Sequence, residues 1–587
     1  MKKLVDIKIN GKSYLMPEGI TILEACKRAG IHIPTLCYLE GITEGGHCGI
    51  CVVEVKGARN LQRACITKIK EGMEIYTDTP LVRKARKTIY ELTLANHKST
   101  CPACQKEEPC EIRKIAKNIG LSEVEVELLF KEHEKDRSII NRDQTKCIEC
   151  RRCVNTCEKI QGINTLIVDG KGFNSRISPP YNLPLKNTPC VFCGQCVVRC
   201  PTGALTEKDD TEKVLDALQD PNKYVVVSFA PAVRASIGEL FGLPPGTLVI
   251  GKLVAALRKL GFDKVFDVNY GADLTIVEEA NELIERIKFR KTLPMFTSCC
   301  PAWVKFVEEF YPEMIPNLST CKSPQAMLGA VIKNFLPELE NIPKDKIVHV
   351  TIMPCTAKKY EILRPDIMGD IDYVLTVREL AKMIKIAGID LLSLEDEEED
   401  IPFGEYSGAA AIFGVTGGVM EAALRTAVEW LTGETFSNLD FVPVRGMKNI
   451  RIAEIDIKDL KLKVAVAHTL KAAQEVLEKI KNKELDIQFL EVMACPGGCI
   501  GGGGQPIPTT EEILRKRAEA LYTLDKNKEI RKSHENPFIK FLYEKFLGNY
   551  GSEKAHKLLH AKYSHKPNWD DIFNKSYEEI CKEVLKY

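Results

Sequence analysis

Two cysteine runs with one spacing, Cys147-x2-Cys150-x2-Cys153-x3-Cys157 and Cys190-x2-Cys193-x2-Cys196-x3-Cys200-Pro201, constrain this chain more than any other feature in it. Thiolate sulfur is a soft, strongly donating ligand, and four sulfurs must converge on one iron-sulfur cluster. Cysteines two residues apart achieve this by wrapping a short loop around the metal. Eight core thiols falling by chance into this double pattern is much the weaker explanation.

The duplicated run resembles that of bacterial ferredoxins, in which each fourth cysteine crosses to the other cluster; the resemblance groups Cys147, Cys150, Cys153 and Cys200 as one [4Fe-4S] set and Cys157, Cys190, Cys193 and Cys196 as the second. The rest of the chain supports an intracellular metal protein. It carries 23 cysteines in 587 residues. Met1-Lys2-Lys3-Leu4-Val5-Asp6 breaks into charge at once, and no uninterrupted run of about eighteen apolar residues follows. The expectation is a cytoplasmic protein without a membrane span, in which thiols stay reduced and bind metal rather than form disulfides. Lys plus Arg (82) balance Asp plus Glu (81), so no overall field attracts nucleic acid or an anionic membrane surface. The length exceeds what one hydrophobic core organises, and several domains are expected.

Ahead of the duplicated runs, Cys37-x10-Cys48-x2-Cys51-x13-Cys65 places its middle pair in Gly45-Gly46-His47-Cys48-Gly49-Ile50-Cys51, where glycines let backbone N–H groups approach sulfur. This reads as a [2Fe-2S] site, with zinc as the alternative. The spacing resembles plant-type ferredoxins apart from a longer first gap. A β-grasp fold agrees with the hairpin signal of residues 3–9, the turn Asn10-Gly11-Lys12 and a strand ending near Met16, followed by an amphipathic helix from Ile20 to Ala29. A third set, Cys101-x2-Cys104-x5-Cys110, has three thiolates. His97, four residues before it, is placed to supply the fourth ligand.

From about residue 210 the cysteines thin out and strand and helix patterns alternate. Tyr224–Phe229, Lys264–Val268, Ile347–Ile352 and Lys463–Ala467 are short apolar runs of the kind found in strands buried on both faces. Glu395 to Asp400 reads as a solvated acidic loop. Gly501-Gly502-Gly503-Gly504-Gln505-Pro506 lacks the Gly-Lys-Ser/Thr ending of a phosphate loop and reads as close backbone approach to a cluster. No complete G-x-G-x-x-G supports direct nicotinamide binding. Cys26, Cys321 and Cys581 fall outside every set and read as ordinary thiols.

Five cysteines of this half stand in distinctive settings: Thr297-Ser298-Cys299-Cys300-Pro301-Ala302-Trp303, Met353-Pro354-Cys355-Thr356-Ala357-Lys358-Lys359 and Met493-Ala494-Cys495-Pro496-Gly497-Gly498-Cys499. These resemble the three signatures of the [FeFe]-hydrogenase catalytic domain, and the front half is similar to the accessory-cluster array of that family's long members. The resemblance covers nearly the whole chain. It implies a multidomain α+β protein: a β-grasp [2Fe-2S] ferredoxin-like domain (1–79), a small [4Fe-4S] cluster domain with one histidine and three cysteine ligands (80–126), a two-[4Fe-4S] ferredoxin-like domain (127–209) and a large two-lobed α/β catalytic domain with a C-terminal helical extension (210–587).

By the same resemblance Cys300, Cys355, Cys495 and Cys499 hold a cube bridged through Cys499 to a diiron unit bearing CO, cyanide and a dithiolate, the H-cluster. Three accessory [4Fe-4S] clusters and one [2Fe-2S] would feed it. Such a unit needs a dry pocket with hydrogen-bond donors to its cyanides, a role that suits Lys358. The implied lining is Ala230, Pro231, Gln325, Met353, Phe413 and Met493, with Ala232 where the family often has serine. Reversible conversion of protons and electrons to H2 would use a relay of Cys299, Glu279, Ser319, Glu282 and Arg286.

Electrons would come from a ferredoxin or from NAD(P)H-linked diaphorase subunits, and the diiron unit from dedicated maturation enzymes. Two rival readings are an electron-wiring subunit of an NADH-dehydrogenase-like complex and a non-enzymatic sensor or assembly factor. The three back-half motifs oppose the first, and Cys299 with Lys358 oppose the second.

Overall fold

The computed structural model describes residues 3–98, 104, 110–121, 136–434, 439–457 and 460–573. Cys101 and Cys581 lie outside the described residues. The chain forms two compact units, Met1–Asn187 with Arg199–Thr206, and Thr188–Val198 with Glu207–Tyr587.

In the first unit Leu4–Ile9 alternates exposed and buried side chains, because Val5, Ile7 and Ile9 face the core. It pairs antiparallel with Lys12–Pro17 across a two-residue turn in which Asn10 and Gly11 both adopt positive φ, 49° and 81°. The helix is Ile22–Arg28, shorter at each end than the apolar pattern suggests, because the Thr21 side chain caps it by accepting from Glu24 N. Glu74–Tyr76 joins parallel to the first strand, and Val52–Val55 and Gln62–Arg63 complete a five-stranded β-grasp sheet. The helix Pro80–Ala95 is tied to this sheet by Arg86, which donates to Val52 O at 2.8 Å.

The second unit contains two four-stranded sheets. In one, Lys264–Asp267, Tyr224–Phe229, Ile347–Met353 and Tyr373–Thr376 all run parallel. Val225, Val226, Val227, Val350 and Ile352 are buried, the consequence of covering both faces. In the other, Met295–Phe296, Phe489–Met493 and Leu460–His468 run parallel, and Ile450–Ile457 closes the edge as an antiparallel hairpin partner. The strand at Lys264 stops one residue before the apolar run does. Asp267 accepts from Asn269 N at 2.9 Å and so starts the helix Val268–Lys288 at Val268. That helix is buried along most of its length and carries Glu279, Glu282 and Arg286.

The acidic loop is less solvated than its composition suggests. Glu395 to Glu398 are exposed, but Arg258 pairs with Glu397 at 2.5 Å and with Asp400 at 3.1 Å, and Glu399 is half-buried. No described helix is long and apolar enough to cross a membrane.

Candidate active site and cluster ligands

In the first unit the four thiols of the Gly45–Cys51 loop and its partners converge. Cys48 N donates to Cys37 Sγ at 3.4 Å, and Cys51 Sγ lies 3.3 Å from Cys65 Sγ. The neighbouring sulfur holds the Cys48 thiol at about 6, as expected where thiols are packed for shared metal ligation. Cys147, Cys150, Cys153 and Cys200 line one small cavity together with Arg142, Ile177 and Pro201. Cys157 belongs to the first unit and accepts from Thr165 N at 3.3 Å, whereas Cys190, Cys193 and Cys196 belong to the second.

His97 is buried just past the end of the helix Pro80–Ala95, with Nδ1 3.0 Å from Lys146 O. A carbonyl partner requires the proton on Nδ1 and puts the lone pair on Nε2, the usual state of a ligating imidazole oriented by a backbone acceptor. Cys110 precedes the helix Glu111–Asn118, and Cys104 Sγ lies 3.6 Å from Lys146 Nζ.

The catalytic motifs leave the same ends of the two sheets of the second unit. Ala230 and Pro231 follow Tyr224–Phe229, Cys355 follows Ile347–Met353, Cys299 and Cys300 follow Met295–Phe296, and Cys495 follows Phe489–Met493. All are carboxyl ends of parallel strands, where open α/β sheets place their ligands. Cys300 caps the helix Pro301–Phe310 and Cys355 stands just before Ala357–Glu361, so backbone N–H groups of Ala302 and Trp303 reach one sulfur and those of Ala357 and Lys358 the other. Positive helix termini suit the negative charge of a thiolate-bound cluster.

Burial raises the thiols of Cys300, Cys355, Cys495 and Cys499, Cys355 to about 12, and Cys300 is close enough to raise the other three further. Four buried sulfurs in mutual range are a poor arrangement for protons and a good one for iron, so the donor set fits a cluster. Cys299, Cys300 and Cys499 keep some accessible surface, although burial is the main cause that raises each thiol. Ala230, Gln325, Met353, Phe413 and Met493 are buried, and Met493 Sδ lies 4.0 Å from Cys499 Sγ.

Lys358 is buried, with Nζ 2.9 Å from Glu361 Oε2 and 3.2 Å from Cys299 O. Burial works against its charge, but Glu361 and the nearby thiols outweigh it and hold the ammonium above its ordinary value. Gln325 braces the pair by donating to Glu361 at 3.2 Å while accepting from Thr351 at 3.0 Å.

The glycine run is a packing device. A Cβ at Gly502 would meet Pro354 O at 2.0 Å, and one at Gly503 would meet Cys193 O at 2.4 Å. The loop of Gly502 and Gly503 therefore touches the Pro354 turn and the Cys190–Cys196 loop backbone to backbone, and Thr356 Oγ1 donates to Phe192 O at 2.6 Å beside them.

Cys299 faces Glu279, and burial followed by the charge of Glu279 drives its thiol well above the ordinary value, so it stays protonated. Glu279 is itself buried. Loss of solvation and then Glu282 raise its carboxyl to about 8, which the nearby Ser319 hydroxyl partly offsets. Ser319 Oγ donates to Glu282 Oε2 at 2.8 Å, and Glu282 pairs with Arg286 at 2.6 Å. Ser319, Glu282 and Arg286 are thus joined by hydrogen bonds, whereas both carboxyl oxygens of Glu279 are buried without a hydrogen-bond partner among the described residues.

Comparison with known proteins agrees with this geometry. The pattern described as iron only hydrogenase large subunit, C-terminal domain, matches residues 223–503, and iron hydrogenase small subunit matches 511–566. A 2Fe-2S cluster binding domain matches 2–80, an NADH-ubiquinone oxidoreductase-G iron-sulfur region 86–125, and an NADH-quinone oxidoreductase subunit 3 ferredoxin-like domain 138–206. NADP-reducing hydrogenase subunit HndD of Solidesulfovibrio fructosivorans is 47% identical over 95% of this chain and 99% of its own length. The chain belongs to the iron-only hydrogenases. Iron hydrogenase 1 of Clostridium pasteurianum is 42% identical over 95% of this hydrogenase and 99% of its own length. The apo [FeFe]-hydrogenase HydA1 structure from Chlamydomonas reinhardtii superposes with a TM-score of 0.55 and 42% identity, covering 61% of this chain and all of its own.

Sequence reasoning missed three groups of this hydrogenase site. Glu361 is needed to pair the buried Lys358, and only its i,i+3 spacing hinted at it. Glu491, the one charge in the strand Phe489–Met493, accepts from Gly417 N at 2.6 Å and Met420 N at 2.7 Å, anchoring the turn that follows Phe413. A carboxylate in an otherwise apolar strand was the available signal. Arg234, three residues past Pro231, carried no sequence signal at all.

Glu279 also makes a stability prediction. The folded state keeps its proton up to about pH 8, whereas the unfolded carboxyl releases it near 4.5. The folded state therefore binds the extra proton across that window, and stability must fall as pH rises through it, then level off. Glu279→Gln should remove this decline. Denaturant titrations of both proteins at several pH values measure it, and parallel pH profiles would contradict a buried neutral carboxyl.

Proposed function

We propose that this iron-only hydrogenase interconverts protons, electrons and H2 at the hollow beside Cys299, with Cys300, Cys355, Cys495 and Cys499 holding the H-cluster. The carrying observation is the convergence of those four sulfurs with the Lys358 ammonium and the Cys299 thiol at one end of the two sheets. When bound, the cluster supplies an open iron position for heterolytic cleavage or assembly of H2 and a cube that passes electrons. The protein does the rest. Lys358, kept charged by Glu361, offers N–H donors to anionic ligands in the hollow. Met353, Phe413 and Met493 keep it apolar and exclude water. The Cys299 thiol moves a proton without holding charge there, and Glu279, Ser319 and Glu282 carry it outward.

Electrons arrive through the Cys190–Cys196 loop, whose backbone contact with Gly503 and Thr356 provides a short route to the cubane loops. One [2Fe-2S] and three accessory [4Fe-4S] clusters, the His97 site among them, make the chain a wire as well as a catalyst. The NADH-dehydrogenase-type regions and the similarity to an NADP-reducing hydrogenase subunit favour diaphorase-type subunits as electron partners over a free ferredoxin. The abundance of thiols spaced for metal favours the cytoplasm. Infrared spectra of anaerobically matured protein should show CO and cyanide bands that disappear on removal of the diiron unit. A matured sample with iron-sulfur absorption but no such bands would return the chain to an electron-wiring role.

A further inference from the structure

The polar chain continues past Glu282 in a second direction. Thr320 is exposed. It donates its amide to Glu282 Oε2 at 3.1 Å, and its hydroxyl lies 3.4 Å from the same oxygen. That hydroxyl is 2.7 Å from Nδ1 of His560, and Nε2 of His560 is 3.3 Å from Glu278 Oε2. Glu278 is fully buried and also accepts from the Tyr543 hydroxyl and from Gly551 N at 3.2 Å. The ring of His556, an exposed residue, lies 4.1 Å from the His560 ring, centroid to centroid.

This juxtaposition is held by backbone. Ala561 N donates to Thr320 O and Lys322 N to Leu559 O, both at 2.8 Å, so the segment following the helix Glu553–Leu559 is clamped to residues 320–322. The imidazole is fixed with one nitrogen on a hydroxyl and the other on a buried carboxylate, an arrangement that orients the ring. Arg286 lacks that capacity. It pairs with Glu282 at 2.6 Å, but a guanidinium in a protein does not give up its proton. An exit needs a group that both takes and releases one.

We propose that His560 is the outer relay residue, exchanging protons between Glu282 and solvent through the Thr320 hydroxyl. The assignment rests on reading Cys299, Glu279, Ser319 and Glu282 as the inner relay. Outward, the Glu282 carboxylic acid passes its proton to Thr320 Oγ1 as the original Thr320 O–H breaks and its proton goes to His560 Nδ1. Glu282 is left as carboxylate, and the imidazolium faces Glu278. A water molecule or buffer base at the exposed Thr320 then takes the Nδ1 proton and restores the neutral ring. Uptake runs the same bonds in reverse.

The test compares matured wild type with His560→Ala and His560→Gln, and runs Cys299→Ala alongside. Glutamine keeps a hydrogen bond to Thr320 but cannot carry a proton. Both His560 variants should turn over about tenfold more slowly in weak buffer, with a larger solvent isotope effect and unchanged infrared bands. Added imidazole should restore part of the rate in the alanine variant. Wild-type turnover in His560→Gln would overturn the proposal, whatever the alanine variant does, because it would assign the ring a structural role only. If Cys299→Ala is inactive while both His560 variants match wild type, the outer step alone fails. If Cys299→Ala turns over normally, the inner relay fails with it.

Discussion

Cys299→Ala should lose about 10²- to 10⁴-fold of H2 turnover, the range that a positioned proton-transfer group contributes, while its iron content and infrared bands stay those of wild type. The physical reason is the position of one thiol. Burial and the neighbouring Glu279 raise the Cys299 thiol well above its ordinary value, so under the proposed relay it can pass a proton without placing charge in an apolar site. Alanine offers no exchangeable proton to hand on to Glu279. Cys299→Ser should be poor as well, because a hydroxyl is much less acidic than a thiol. H2 evolution from a chemical reductant, set beside iron content, measures the effect. Turnover within about twofold of wild type, far inside that range, would remove the relay.

The largest expected loss of stability lies at Arg234. Its Nη2 donates to both carboxylate oxygens of Asp267, at 2.7 and 2.8 Å, with both side chains wholly buried. It also donates to Pro231 O at 3.1 Å and to the Tyr406 hydroxyl at 2.9 Å, and lies over the ring of Phe229. Arg234→Met would leave Asp267 as an unpaired charge in the core, which costs about 3–5 kcal/mol. The consequence reaches the active site through two connections. Arg234 pins the loop carrying Ala230 and Pro231, and Asp267 caps the helix that carries Glu279 and Glu282. The thermal transition of the catalytic unit should fall by ~5–10 °C. Adding Asp267→Asn, which removes the orphaned charge and keeps a capping oxygen, should recover much of that loss. A transition unmoved by Arg234→Met would show that the pair contributes little net stability.

Cluster chemistry was legible in the chain because ligand spacing is local. A loop of two or three residues between cysteines can wrap a metal wherever it is placed, so the duplicated runs and the Gly45–Cys51 loop carry their meaning in one dimension. The hairpin at Asn10-Gly11 and the apolar strands were legible for the same reason: turn conformation and burial on both faces leave marks within a few residues. The acidic run at 395–400 was misjudged in part, since its partners Arg258 and Lys264 stand more than a hundred residues away in sequence. Cys321 was read as an ordinary thiol. It is buried, with its sulfur 3.7 Å from Glu282 Oε2.

By itself the sequence determined which atoms can bind iron, because thiol type and spacing decide that within short loops. Only the tertiary structure decided what surrounds them. Whether Lys358 is a surface charge or a buried donor, whether Glu279 is solvated or neutral, and whether His560 meets Glu282 all depend on residues far apart in the chain. Solvation and Coulomb interaction act through space, and the fold alone sets those distances.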